Sequence, residues 1–308
     1  MPVNEPIAYA ERFWHIQLKR QSGDEWSGPC PQCGGVDRFN VWTEKQNYWC
    51  RQCGYAGFLD ELENGNHEMT TEQKVEYRLR QIERRQQEYD RRLSALERMH
   101  NCTDHLRYHE NIPLDKMEYW IDEGMTVDTI VAYQLGWCPR CPTDKEGRSS
   151  FTIPVYDRDG ETLVNIRHRL ENASDGDKYR PHIAGLGAQL FNARFTQHPG
   201  DQIIITEGEK KSIILSQYDY VNVSIMGKRS FKADWVNWLK PFKMVYVALD
   251  PDAMESAGKL ARIVGGRVVS LPVKADDFFV RYGGTKDDFD HFVSKARQAK
   301  EHKNGKAH

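Results

Sequence analysis

The 308-residue chain has no apolar run approaching the ~18–20 residues of a membrane-spanning helix, and Met1 to Ala10 lacks the basic flank and apolar stretch of an export signal. Neither insertion nor secretion is expected, so the protein is assigned to the cytoplasm. Net charge is scarce too: 43 Lys and Arg against 45 Asp and Glu leave a formal −2. That balance excludes a globally basic protein that coats nucleic acid and confines any such contact to local patches. Cysteines are few and odd in number, seven, with four of them in two close Cys-x-x-Cys pairs. A disulfide framework is thereby disfavoured and metal ligation in a reducing compartment favoured. What remains is globular: 39% hydrophobic residues can build packed cores. The length asks for two or three units, because single cores stop growing near ~250–300 residues.

The pattern divides the chain at 1–65 (first helix and cysteine cluster), 66–105 (linker helix), 106–200, 201–285 and 286–308. A first helix is expected from Pro6 to Lys19, and a short apolar helix start at Gly57-Phe58-Leu59. Thr70 with Gln73 looks like a capping box opening a long charged helix whose apolar positions run Val75, Leu79, Ile82, Tyr89, Leu93 and Leu96. Met117 to Cys138 reads as a short helical pair, and Phe151 to Arg169 as two strands turning at Asp159-Gly160. After Pro199-Gly200, apolar strands (202–206, 221–226, 244–249, 267–271) alternate with helices (209–218, 232–240, 253–264), the mark of a parallel sheet covered on both faces. The last ~20 residues are polar and Lys-rich, composition that predicts fraying. The fold class expected is thus α/β and α+β multidomain.

Cys30-Pro-Gln-Cys33 and Cys50-Arg-Gln-Cys53 have the spacing of a four-cysteine ribbon, and four soft thiolates in a closed shell select structural Zn²⁺. Between them lie Arg38, Phe39, Trp42, Tyr48 and Trp49; some rings in so small a unit must be exposed and could stack on unpaired bases, while others pack over the knuckles. Cys138-Pro-Arg-Cys141 with Cys102-Thr-Asp-His105 offers ligand types for a second zinc, but the pairs are far apart and isolated thiols are the simpler expectation.

In a parallel sheet, ligands gather at the carboxyl ends of strands. Glu207 follows one apolar strand and Asp250-Pro-Asp252 another. Two aspartates at i and i+2, joined by a glutamate from a neighbouring strand, outline a site for a hard cation such as Mg²⁺, with Mn²⁺ as a substitute. Each carboxylate alone could merely cap a helix. Met226-Gly227-Lys228-Arg229-Ser230 is not a Walker A loop, since its upstream glycine is missing.

Glu207-Gly208 followed by Asp250-Pro-Asp252 resembles the TOPRIM domain shared by DnaG-type primases, topoisomerases, OLD-type nucleases and recombination-repair proteins; Ala275-Asp276-Asp277-Phe278 resembles its third acidic motif. The stretch Asp37 to Leu59 resembles the zinc-binding domain of bacterial and phage DnaG-type primases, with Cys33 where histidine often stands. Tyr119 to Met125, Leu135-Gly136-Trp137, Phe151 to Pro154 and Asp177-Lys178-Tyr179 resemble the primase segment before and within its polymerase strands. The resemblance implies RNA primer synthesis on single-stranded DNA from nucleoside triphosphates. Glu207, Asp250 and Asp252 would be catalytic, and Asp276 or Asp277 further Mg²⁺ ligands. Arg167, Arg169, Lys178, Arg180, Lys211 and Lys228 would bind nucleotide or template. Many relatives carry aspartate where this chain has Lys211, which puts a second metal in question. The domain that binds the replicative helicase is missing from the resemblance, so a helicase partner would be engaged differently. A TOPRIM nuclease and a non-catalytic single-strand binding or loading factor are the rival functions.

Overall fold

The computed structural model describes residues 5–59, 71–173, 178–227 and 230–298. The chain forms two compact units, Met1–Gln87 and Glu88–His308.

The first unit opens with α1 (Pro6–Trp14), started by proline at its first turn. The helix is shorter than its sequence suggests. His15 adopts a left-handed φ of 53°, its N–H returns to Glu11 O, and the chain is already a strand by Lys19. Five antiparallel strands follow in chain order: β1 (Lys19–Ser22), β2 (Glu25–Cys30), β3 (Gly34–Trp42), β4 (Asn47–Cys50) and β5 (Ala56–Phe58). The expected helix start at Gly57 is therefore the edge strand β5, paired with β4. Side-chain alternation sorts the sheet into two faces. Phe39, Val41, Tyr48 and Cys50 are buried on the inner one, where Trp14 of α1 meets Tyr48 and Phe39 edge-on with centroids 4.6 and 4.8 Å apart.

Helix α2 (Thr71–His100) contains the boundary between the units. Thr70 lies outside the described residues. Leu79, Ile82, Tyr89 and Leu93 are exposed, whereas Ala95 and Met99 are fully buried. Docking is thus confined to the last two turns, where Leu96 also packs, and Leu79, Ile82, Tyr89 and Leu93 face solvent.

In the second unit, α3 (Asp104–Glu110), α4 (Leu114–Asp122) and α5 (Val127–Ala132) precede a four-stranded antiparallel sheet in the order β6 (Gly136–Cys138), β7 (Ser150–Tyr156), β8 (Leu163–Leu170), β9 (Tyr179–Pro181). Gly136 to Cys138, expected at the end of a helix, is strand because it pairs with Ser150 to Thr152. The second sheet has the order β11-β10-β12-β13-β14, where β10 is Gln202–Glu207, β11 Asn222–Ile225, β12 Met244–Ala248, β13 Arg267–Val268 and β14 Arg297–Gln298. The first four are parallel, and β14 adds on antiparallel. The chain just before residue 299 therefore joins the sheet rather than fraying.

Both sheet faces are covered, which is why the strands are almost wholly apolar. On one face Ile203, Ile205, Val223, Ile225, Val245 and Val247 pack with α7 (Trp235–Leu239) and α8 (Met254–Val264). On the other, Ile204 and Ala248 share a core with α6 (Glu209–Gln217), α9 (Ala275–Val280) and α10 (Lys286–Ser294), and with Phe151, Ile153 and Val155 of β7. This second core fuses the two sheets into one body. Truncating a fully buried member such as Ile205 to alanine would cost about 2–5 kcal/mol.

Candidate metal and nucleotide sites

Two knuckles bring Cys30, Cys33, Cys50 and Cys53 together, with all four sulfurs within 4.8 Å of one another. Cys30 Sγ lies 3.7 Å from Cys53 Sγ, and Cys33 Sγ 3.6 Å from Cys50 Sγ. Thiolates bound at ~2.3 Å around one tetrahedral Zn²⁺ stand ~3.8 Å apart, so the cage already has the size of the ion. Gly54 takes φ 73°, where a side chain would be strained, and its N–H returns to Cys50 O at 3.0 Å to close the second knuckle. Of the ring residues between the pairs, Phe39 and Tyr48 form the core, while Trp42 and Trp49 are half-buried on the outer face with Arg38 and Asn40.

At the carboxyl end of the parallel sheet, Glu207 terminates β10, the strand flanked by β11 and β12. Thr206 pairs with Ala248, so Asp250 stands just beyond Glu207's level on the adjacent strand. Asp252 is exposed in the 3₁₀ turn Pro251–Ala253. Gly208, at φ 88°, swings the chain from β10 directly into α6. The short turn brings Lys210 and Lys211 to the carboxylates.

Lys211 Nζ lies 3.0 Å from Asp250 Oδ1, with both side chains mostly buried. The contact is ionic rather than a well-aimed hydrogen bond, since that oxygen is buried and receives no aligned donor. Lys210 Nζ is 3.0 Å from Asp276 Oδ2 and also pairs with Glu123 at the end of α4. Burial pushes the Asp276 carboxyl up, but Lys210 and Lys211 outweigh it and hold the group below the ordinary carboxylate range. Burial conversely depresses Lys210, and Asp276 and Glu123 reverse this and keep its ammonium above the usual lysine range. Asp276 Oδ1 is buried without a hydrogen-bond donor. Asp277 pairs instead with Arg281, 3.1 Å away on the exposed side of α9. Glu207, Asp250 and Asp252 do not form a cluster like that of the cysteines; each carboxylate keeps its own surroundings.

Arg167 Nε donates to Glu209 Oε1 at 3.1 Å, and its guanidinium lies 5.2 Å from the Tyr179 ring. Arg169 covers Tyr119 at 5.2 Å. Register places Arg167 and Arg169 on one face of β8, opposite Pro181 and Tyr179, and Arg180 on the other face opposite His168. Lys178 is exposed, whereas Asp177 and Lys228 lie outside the described residues. Arg167 and Arg169 are thus brought together and Arg180 is not.

Glu123, Glu209 and Lys210 escaped sequence reasoning. The available signal was a Glu-Lys-Lys run opening an otherwise apolar α6, where Glu209 proves to be 2% exposed. Cys138 and Cys141 do not join Cys102 in a metal cluster: their thiols turn to Arg140 O and Thr143 Oγ1. His105 packs edge-on against Tyr156.

Residues 25–61 match the family model described as the zinc-binding domain of primase-helicase. The Aquifex aeolicus primase structure comprising zinc-binding and RNA polymerase domains superposes with a TM-score of 0.51 at 17% identity, covering 95% of this chain and 83% of that one. The chain has the fold of a DnaG-type primase. A DnaG primase catalytic domain bound to single-stranded DNA also superposes on the primase fold, with a TM-score of 0.53 at 17% identity over 68% of this chain and 83% of its own. No curated protein sequence matches. The primase fold therefore comprises a zinc ribbon, an antiparallel sheet and a terminal parallel sheet, and among the described residues no helix is long and apolar enough to cross a membrane.

Proposed function

We propose that the chain is a cytoplasmic, phage-type DNA primase that makes short RNA primers on single-stranded DNA by Mg²⁺-dependent nucleotidyl transfer. The observation that carries this is the joining, in one primase fold, of a four-cysteine ribbon to a parallel sheet whose carboxyl end bears Glu207, Asp250 and Asp252. In functional terms the ribbon occupies 1–65, the linker helix 66–105, the nucleotide- and template-binding part 106–200, and a TOPRIM catalytic part 201–285, followed by 286–308.

The donor set fits a hard cation. Asp250 Oδ1 and Asp276 Oδ1 are buried oxygens without aligned donors, the condition of ligands that await a metal. Asp250 and Asp252 would hold Mg²⁺ with Glu207, and Asp276 would serve a second ion. Mn²⁺ would substitute. Mg²⁺ bound there would supply charge neutralisation at the α-phosphate of one nucleotide as the 3′-hydroxyl of the other attacks it and pyrophosphate leaves.

The protein's own residues do the rest. Arg167 and Arg169, each with its guanidinium 5.2 Å from a tyrosine ring, Tyr179 and Tyr119, would meet phosphate. Glu207 would take the proton of the attacking hydroxyl. Lys211 keeps Asp250 neutralised until substrate arrives, and then becomes free to meet a phosphate. Outer-face Trp42, Trp49 and Arg38 of the ribbon hold the template by stacking and charge. Lys178, Arg180 and Lys228 extend the basic surface, and a replicative helicase would deliver the unwound template.

A second function is favoured by one observation: an ammonium already sits on Asp250. A non-catalytic single-strand loading factor could keep that pair closed. Incubation with single-stranded DNA, Mg²⁺ and labelled ribonucleotides separates the two. Primers are expected; binding of the DNA with no product, at any Mg²⁺ or Mn²⁺ concentration, would leave the loading factor, and degradation of the DNA would leave the nuclease.

A further inference from the structure

Outside the ribbon, one other group of metal-ligating side chains among the described residues draws its ligand atoms within 4.8 Å of one another: Cys102, Asp104 and His182. We propose that these three residues form a second Zn²⁺ site, three protein ligands with the fourth position left to water.

His182 Nε2 lies 3.7 Å from Cys102 Sγ and 3.3 Å from Asp104 Oδ2. Around a tetrahedral Zn²⁺ with ordinary bond lengths, a sulfur and a nitrogen ligand stand ~3.6 Å apart and a nitrogen and an oxygen ~3.3 Å. The triangle has the size of a zinc face.

Cysteine, histidine and aspartate could instead make a proton relay, but a relay needs the thiol on one ring nitrogen and the carboxylate on the other. Here both approach the same nitrogen. The other, Nδ1, is engaged 2.9 Å away by His168 Nε2, and His168 Nδ1 lies 2.8 Å from Ser150 Oγ. His168 is fully buried and His182 is 9% exposed, so neither ring can turn toward water. If His182 donates from Nδ1 to His168, and His168 from Nδ1 to Ser150, the His182 Nε2 lone pair points at the thiol and the carboxylate. That arrangement is the outer-shell support metal-bound histidines commonly have. Thiolate, imidazole and carboxylate together suit zinc better than a harder cation.

The site has a structural consequence. Cys102 lies between α2 and α3 and Asp104 opens α3, whereas His182 directly follows β9, a three-residue edge strand. A metal there would tie together residues 80 positions apart in sequence and clamp β9, which carries Tyr179 beneath Arg167, onto the helical layer.

Metal stoichiometry of the full chain tests this. After dialysis, Zn²⁺ is titrated into wild type, Cys102→Ala and His182→Ala, with content read by mass spectrometry. Two zinc ions per wild-type chain and one in each variant are expected. Replacement by Co²⁺ should give, for the second equivalent, a sulfur charge-transfer band about a quarter as strong as that of the four-thiolate site and absent from Cys102→Ala. A wild-type chain saturating at one zinc overturns the proposal without recourse to either variant, as does a second equivalent that persists in either one.

Discussion

The ribbon gathers four thiols, and the acidic end of the parallel sheet, where the proposed function puts Mg²⁺, gathers carboxylates, and the two do so in opposite ways. In the ribbon, thiols stand 3.6–3.7 Å apart with no protein cation among them. At the sheet, Asp250 is paired with Lys211, and Asp276 with Lys210. On the proposed function, the difference follows from what each metal would be for. A unit whose buried core is Ala10, Leu18, Phe39, Val41, Tyr48 and Leu59 together with two of the zinc-binding cysteines depends on its ion to fold and can keep the ligands permanently committed. A site where an ion and a charged substrate come and go has to stay folded without them. Buried carboxylates that await a dication repel one another, and two lysines from one helical turn hold that repulsion in check.

The largest break in this comparison comes from Cys50→Ser. Structural zinc in such ribbons contributes about 10–16 kcal/mol of apparent binding energy, more than a unit of this size has to spare. The first unit should unfold and lose its zinc, while Glu88–His308, with its own cores, stays folded; limited proteolysis and elemental analysis read both. An intact unit 1 that has lost its zinc would show that the ion is not what holds it, and one with a full zinc complement would show that Cys50 is not a required ligand.

A smaller loss is expected at Lys210→Met, which strands Glu123 and Asp276 without their shared cation. About 3 kcal/mol should be lost at neutral pH, measured by urea unfolding. The pH dependence has a defined sign. Asp276 is held below its ordinary value, so its contribution is complete above the usual carboxylate pKa and disappears as pH falls through the depressed one. Lys210 is raised, so its share is complete below the usual lysine pKa and disappears as pH rises through the elevated one. The deficit of the variant relative to wild type should accordingly be widest around neutrality and shrink below about pH 4. A deficit independent of pH would mean that the lysine acts only by packing.

The mildest change is Lys211→Asp, which exchanges the ammonium on Asp250 for another ligand. Stability should fall by about 1 kcal/mol in metal-free buffer and recover on adding Mg²⁺, with thermal unfolding as the readout. No recovery with Mg²⁺ would count against a cation site at Asp250.

How much of this was legible in the sequence depends on the range of the interactions. Strands β10, β11 and β12 and helices α6 and α8 were visible because continuous apolar runs and period-3.6 stripes are local signals. The ribbon was visible because four cysteines at fixed spacing encode their own site. The edge strands β5, β6 and β14 were not. Each is two or three residues long and exists only through its partner, as Gly136 to Cys138 does through β7. At the acidic site the carboxylates could be located from the ends of their strands, but their partners could not. Lys210 meets Glu123 across 87 residues of chain, and no local pattern reports such a contact. Likewise Arg167 and Arg180 looked alike in sequence, and only the pleat sends one toward Glu209 and the other toward His168. Lys211 stood out as an anomaly, yet its meaning rests on the position of Asp250 in the fold.

Primer synthesis by Asp250→Asn, compared with wild type on single-stranded DNA in Mg²⁺, tests the central claim most directly. The amide keeps the shape and removes the charge a hard cation requires. Synthesis should fall at least about 100-fold, the equivalent of ~2.7 kcal/mol, with single-strand binding little changed and the protein still folded, although the Lys211 ammonium left without its partner lowers the unfolding midpoint. Full primer synthesis by a folded Asp250→Asn protein would contradict the assignment of the catalytic centre to this end of the sheet.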